Sequence, residues 1–150
     1  MQVKDCMTRG ILYGNMQDSI YDLSRKMKEN DVGLLPIIEH KKIIGLLTDR
    51  DIVVKIIANH DEKNIKDYLT KQIITVEEND TIEFALEVME QNKIKRLLVT
   101  DDHKIVGILS LSDIIRHNND NQKVMNTICS IFELNLNKEE RKTEIDEFYL

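Results

Sequence analysis

Apolar and polar positions follow two periods along this chain, and the same succession of periods occurs twice. Ile20, Leu23 and Met27 fall three and four residues apart, as do Ile82, Ala85, Leu86 and Met89, and each set predicts an amphipathic helix. Asp18 and Asp80 stand at the expected N-caps, and Asp80 with Glu83 resembles a capping box. A nearly unbroken apolar run follows each helix, Leu35-Pro36-Ile37-Ile38 and Leu97-Leu98-Val99-Thr100. A polar turn and a second run (Ile43 to Leu47; Ile105 to Leu109) come next. Two such runs about a short turn predict a β-hairpin, and their lack of strict alternation predicts strands covered on both faces. Short extended segments, Ile11-Leu12-Tyr13 and Ile73-Ile74-Thr75-Val76, precede the first helix of each set. A further helix is predicted to start at Thr48-x-x-Asp51 and at Ser110-x-x-Asp113.

Residues 3–54 superpose on 65–116 at a constant offset of 62 with no gap, and 15 of the 52 aligned pairs are identical. The repeating unit reads β-α-β-β-α, so the predicted fold class is α+β. The predicted divisions are 1–60 and 61–118 for the repeats and 119–150 for a C-terminal helix and acidic tail. A duplicated unit packs on its twin because one copy cannot bury its apolar face, and the space between copies suits a ligand. Val124, Met125, Ile128, Ile131 and Phe132 have helical spacing. That helix docks either on the repeats or on a second chain. Lys138 to Glu147 is highly charged, and the terminal Phe148-Tyr149-Leu150 is either a frayed end or part of an acidic-aromatic partner motif.

A formal charge of −6 with no Lys/Arg cluster argues against nucleic acid. No apolar run approaches a membrane span and no signal sequence opens the chain, so a cytoplasmic location is expected. Cys6 and Cys129 lack a CxxC partner and are read as reduced, partly buried thiols. The four histidines are scattered without metal-ligand spacing, so no metal site is expected. Nucleophilic triads, a Walker loop and a dinucleotide fingerprint are all missing, and the chain is not expected to be an enzyme.

The segments Met27 to Ile38 and Gly45-Leu46-Leu47-Thr48-Asp49-Arg50-Asp51-Ile52 resemble a CBS (cystathionine β-synthase) domain. Asn92 to Val99 and Gly107-Ile108-Leu109-Ser110-x-x-Asp113 resemble a second, and together they resemble a tandem CBS pair, or Bateman module, over roughly residues 1–117. One departure is Leu98 in the place of Pro36. The resemblance implies repeats packed through their sheets about a pseudo-twofold axis, with two clefts between them. It also implies an adenosine-containing regulatory ligand (AMP, ADP, ATP or S-adenosylmethionine), no obligatory cofactor, homodimerisation and an effector protein not identified by the sequence. A ligand-free dimerisation or interaction module acting through the C-terminal tail is the alternative.

Several residue types suit such a cleft, and each has a structural reading beside the functional one. Thr48 with Asp51, and Ser110 with Asp113, either cap helices or meet a nucleotide, the hydroxyl at phosphate and the carboxylate at ribose; the two roles can coexist. Tyr13, Pro36, Ile37, Ile74 and Thr75 could form an adenine slot, and Tyr13 could stack on a base, but such residues also build a core. Lys95 and Arg96 precede the second repeat's strand, where the resemblance implies a basic pair facing Thr48 across the cleft, or else are solvated charges. The first repeat has Gly33 and Leu34 there, so the Ser110 cleft is expected to lack that clamp. Arg50 and Arg116, at helix starts, are weaker candidates.

Overall fold

The computed structural model describes residues 1–117 and 121–136. The first half contains α1 (Val3–Cys6), β1 (Thr8–Arg9), β2 (Gly14–Asn15), α2 (Ile20–Asn30), β3 (Leu34–Glu39) and β4 (Lys42–Thr48). Its closing helical stretch is irregular, with a π-helix at Asp51–Ile56 and a 3₁₀ turn at Ile57–Asn59. After a 3₁₀ turn at Ile65–Tyr68, the second half contains β5 (Thr75–Glu77), α3 (Ile82–Asn92), β6 (Arg96–Asp101), β7 (Lys104–Ser110) and α4 (Leu111–His117). α5 (Asn121–Leu136) follows.

Both predicted hairpins form, β3 with β4 and β6 with β7. Each turns on two residues with positive φ, His40 (50°) and Lys41 (64°) or Asp102 (47°) and His103 (61°). Such turns match the strand twist even without the usual glycine. The opening strands lie later than the apolar segments suggested. In the first half the strand is Gly14–Asn15 rather than Ile11-Leu12-Tyr13, and it runs parallel to β3. In the second it is Thr75–Glu77, parallel to β6.

The helix caps also differ from the expected ones. Ser19 and Thr81 are the N-caps, accepting from the backbone N–H of Asp22 at 3.1 Å and of Phe84 at 3.2 Å. Asp18 and Asp80 instead accept from the N–H of Asn15 and Glu77 and close the preceding turn. A hydroxyl one residue later reaches the free helical N–H, so the capping box of Asp80 and Glu83 does not form.

The halves are joined by an exchange that mirrors the repeat. Thr8 and Arg9 pair antiparallel with Ile108 and Gly107 of the other half. Thr70, 62 residues after Thr8, bridges to Leu46, 62 residues before Ile108. The twin glycines permit this approach: a Cβ on Gly107 would lie 2.4 Å from the Thr8 carbonyl oxygen, and one on Gly45 would lie 2.7 Å from Leu69 Cβ. Core membership follows the exchange. Val3, Cys6 and Met7 pack with Ile82, Leu86 and Leu109, whereas Ile65 and Leu69 pack with Leu23, Leu35 and Leu47. The molecule is thus an α+β pair of equivalent repeats, each lending a short segment to the other's sheet.

α5 docks on the second half, where Val124, Thr127 and Ile131 are buried. Cys6 is buried, but Cys129 on α5 is exposed rather than partly buried, because it lies off the docked face. The charged stretch and Phe148-Tyr149-Leu150 lie outside the described residues.

Candidate functional site

The β4 and β7 strands end in the same polar arrangement. Thr48 Oγ1 donates to Asp51 Oδ2 at 2.7 Å and accepts from the Asp51 N–H at 3.0 Å, while the Thr48 N–H donates to Oδ2 at 3.1 Å. Ser110 and Asp113 repeat all three bonds. These reciprocal bonds hold the first helical turn and aim the hydroxyl. Asp51 is 6% exposed, and its other oxygen meets Lys55 Nζ at 2.6 Å. Burial pushes its carboxyl up, but the Lys55 ammonium and the Thr48 hydroxyl and N–H outweigh that and hold it below the ordinary carboxylate value.

A cavity of about 500 Å³ opens between the halves beside Thr48. Leu34, Leu46, Ile74 and Ile108 give it apolar walls, and Thr70 and Gln72 add polar groups from the exchanged segment. Arg50, Lys93, Lys95 and Arg96 line it against one carboxylate, Asp49. A second cavity of about 290 Å³ lies beside Ser110 and Asp113 and is lined by Gly33, Leu34, Arg96 and Arg116, with Asp31. A third, of about 240 Å³, is lined by Lys95, Arg96, Ile128 and Phe132.

The larger cavity therefore brings together Thr48, Arg50, Ile74, Lys95 and Arg96 among the residues singled out from sequence. The Ser110 cavity holds Ser110, Asp113 and Arg116. Arg96 lines the Ser110 cavity as well as the larger one, so the expected absence of a cation there is not what the lining shows. Tyr13, Pro36, Ile37, Thr75 and Asp51 line none of the three. Tyr13 is exposed, its carbonyl accepts from Lys26 Nζ at 2.9 Å, and the same ammonium lies 6.0 Å from its ring centroid. Pro36 and Ile37 are buried, Ile37 within the first core. Asp51 lies behind Thr48.

Sequence reasoning missed Lys93, Gln72 and Thr70. Lys93 caps α3 in the left-handed conformation, and Asp31 does the same for α2. Reading that offset pair would have shown a cation exchanged for an anion at equivalent rims. Thr70 and Gln72 are the offset partners of Thr8 and Gly10, whose crossing to the other half carries no local pattern. Among the described residues, no three His, Cys, Asp or Glu side chains are grouped to hold a metal ion.

Known proteins resemble this chain in sequence and in fold. The chain is 30% identical over 136 residues to uncharacterized protein YlbB of Bacillus subtilis, covering 88% of this chain and 92% of that protein. It is 33% identical over 118 residues to hypoxic response protein 1 of Mycobacterium tuberculosis, covering 76% and 82%. The crystal structure of Hypoxic Response Protein I with two coordinated zinc ions matches with a TM-score of 0.67 at 30% identity, over 79% of this chain and 99% of that one. The CBS domain pair of protein MJ0100, in complex with 5′-methylthioadenosine and S-adenosyl-L-methionine, matches with a TM-score of 0.70 at 26% identity, over 78% and 94%. The family model for the CBS domain matches residues 3–58 and again 65–120. Two matched repeats spanning most of the sequence, on the fold of solved CBS pairs, make this chain a member of the CBS domain family.

Proposed function

We propose that this CBS pair is a non-catalytic regulatory module that takes a phosphate-bearing adenosine ligand in its larger cleft and signals to a partner protein in the cytoplasm. The observation that carries the reading is the charge of that cleft. Arg50, Lys93, Lys95 and Arg96 face one carboxylate around an apolar slot, with the Thr48 hydroxyl at the rim. Phosphates meet such a set favourably, and guanidinium groups bind them in a bidentate manner. S-adenosylmethionine carries a cationic sulfonium, which the same side chains repel. The adenosine ligands of the MJ0100 pair support the choice of ligand class. In this reading Asp51 acts chiefly through Thr48, fixing its hydroxyl. We also infer a homodimer, supported by exposed Val53, Val54 and Ile57 on the first half's irregular helix and by Ile115, the twin of Val53, on α4.

Calorimetry with AMP, adenosine and S-adenosylmethionine tests the ligand. AMP is expected to bind most tightly, and Arg96→Ala to weaken AMP about 10- to 150-fold, the range of one charge-assisted hydrogen bond. Adenosine affinity should not change. Preference for S-adenosylmethionine, or AMP binding indifferent to Arg96→Ala, would refute the phosphate placement.

A further inference from the structure

α5 extends past the second matched repeat and touches two lysines that line the larger cleft. Val124, Thr127 and Ile131 bury one face of it. Toward its end it makes two contacts with cations of the cleft. The Lys95 ammonium lies 4.1 Å from the centroid of the Phe132 ring, and Lys93 Nζ donates to Ser130 Oγ at 2.8 Å. Lys93 and Lys95 both line the larger cavity. Lys95 also lines the smaller cavity that Ile128 and Phe132 border, so it stands between the ligand space and the helix. Phe132 itself is 46% exposed, whereas Val124 and Ile131 are buried.

One ammonium cannot face an aromatic ring on the α5 side and a phosphate on the cleft side at full strength. Its charge-assisted bond to an anion is also stronger than its contact with a half-exposed ring. We propose that α5 is a ligand-sensitive latch, in which nucleotide phosphates and the Ser130–Phe132 turn of α5 compete for Lys95 and Lys93. The proposal rests on the nucleotide reading of the cleft and adds the means by which occupancy is reported. Ligand binding loosens that turn of α5 while Val124 stays anchored. By linkage, a loosened α5 strengthens ligand binding by the same factor. Only one cleft is wired in this way, because the first repeat has Asp31 and Gly33 at the positions of Lys93 and Lys95.

Calorimetry with ATP and adenosine on the full chain, on Phe132→Leu, on Lys95→Gln and on the double variant tests the latch. Phe132→Leu keeps the apolar bulk but removes the ring face. It should tighten ATP about 2- to 30-fold, the span of a cation–π contact, and leave adenosine unchanged. In the Lys95→Gln background the same substitution should have no effect on ATP. Hydrogen exchange over Thr127–Phe132 of the unaltered protein should quicken with ATP and not with adenosine. ATP affinity unchanged or weakened by Phe132→Leu, or slower exchange with ATP, overturns the latch and leaves the nucleotide site standing. ATP binding no tighter than adenosine, or no binding of either, overturns the phosphate placement and the latch together.

Discussion

Asp51 shows how much a single buried carboxylate settles. Its oxygens hold the Thr48 hydroxyl and N–H on one side and the Lys55 ammonium on the other, which keeps it ionised despite burial. A carboxyl depressed in the fold contributes stability above its unfolded pKa, about 4, and loses that contribution as the pH falls through its folded value. Urea unfolding should therefore show the native chain losing more stability than Asp51→Asn between about pH 6 and pH 3. Equal losses would mean the ion pair contributes nothing. The Thr48 and Asp51 pair was legible in the sequence because capping is a local device with a fixed spacing of three. The cleft cations were only half legible. Lys95 and Arg96 stand beside a strand start, whereas Lys93 enters the cavity because a left-handed cap turns the chain there, and left-handed caps other than glycine leave little trace in composition.

The elements follow the repeat closely, and the departures have local causes. Hairpins and helices were readable because their apolar periods are strong. β1 and β2 were not, since two-residue strands have no period, and β1 exists only because a distant strand accepts it. The glycine that opens Gly107-Ile108-Leu109-Ser110 gains a physical reason from that pairing. Gly107 is where the Thr8 carbonyl passes, at a separation that no side chain tolerates. Gly107→Ala should force β1 away from β7 and cost about 1–3 kcal/mol, the range of core overpacking. The substitution meets backbone, which gives way less readily than the end of a side chain. Thermal unfolding of Gly107→Ala measures the cost, and an unchanged midpoint would show that β1 pairing does not bear on stability.

At the scale of the whole molecule, Val53, Val54, Ile57 and Ile115 are large apolar side chains turned to solvent on helices that close the two halves. Light scattering should give twice the chain mass at micromolar concentration, and Val54→Asp should shift it toward the single chain, since a charge is costly in a buried contact. A single-chain mass for the unaltered protein would remove the homodimer. The pseudo-symmetric whole was legible from the gapless offset, but the segment exchange was not, because nothing local distinguishes a strand that pairs within its own repeat from one that crosses. That crossing also orders events on the ribosome. Thr8 emerges early, and its partner Ile108 follows 100 residues later. At about 5–20 residues per second this is a wait of roughly 5–20 s. The opposite crossing, Leu46 with Thr70, closes after only 24 residues. The first half can therefore complete its core with Ile65 and Leu69 while synthesis continues, whereas Val3, Cys6 and Met7 remain an uncommitted apolar leader until the second half arrives. Once Thr70 has emerged and before Ile108 does, the nascent chain should thus hold one finished half and an unpaired Val3-to-Met7 segment accessible to chaperones and proteases.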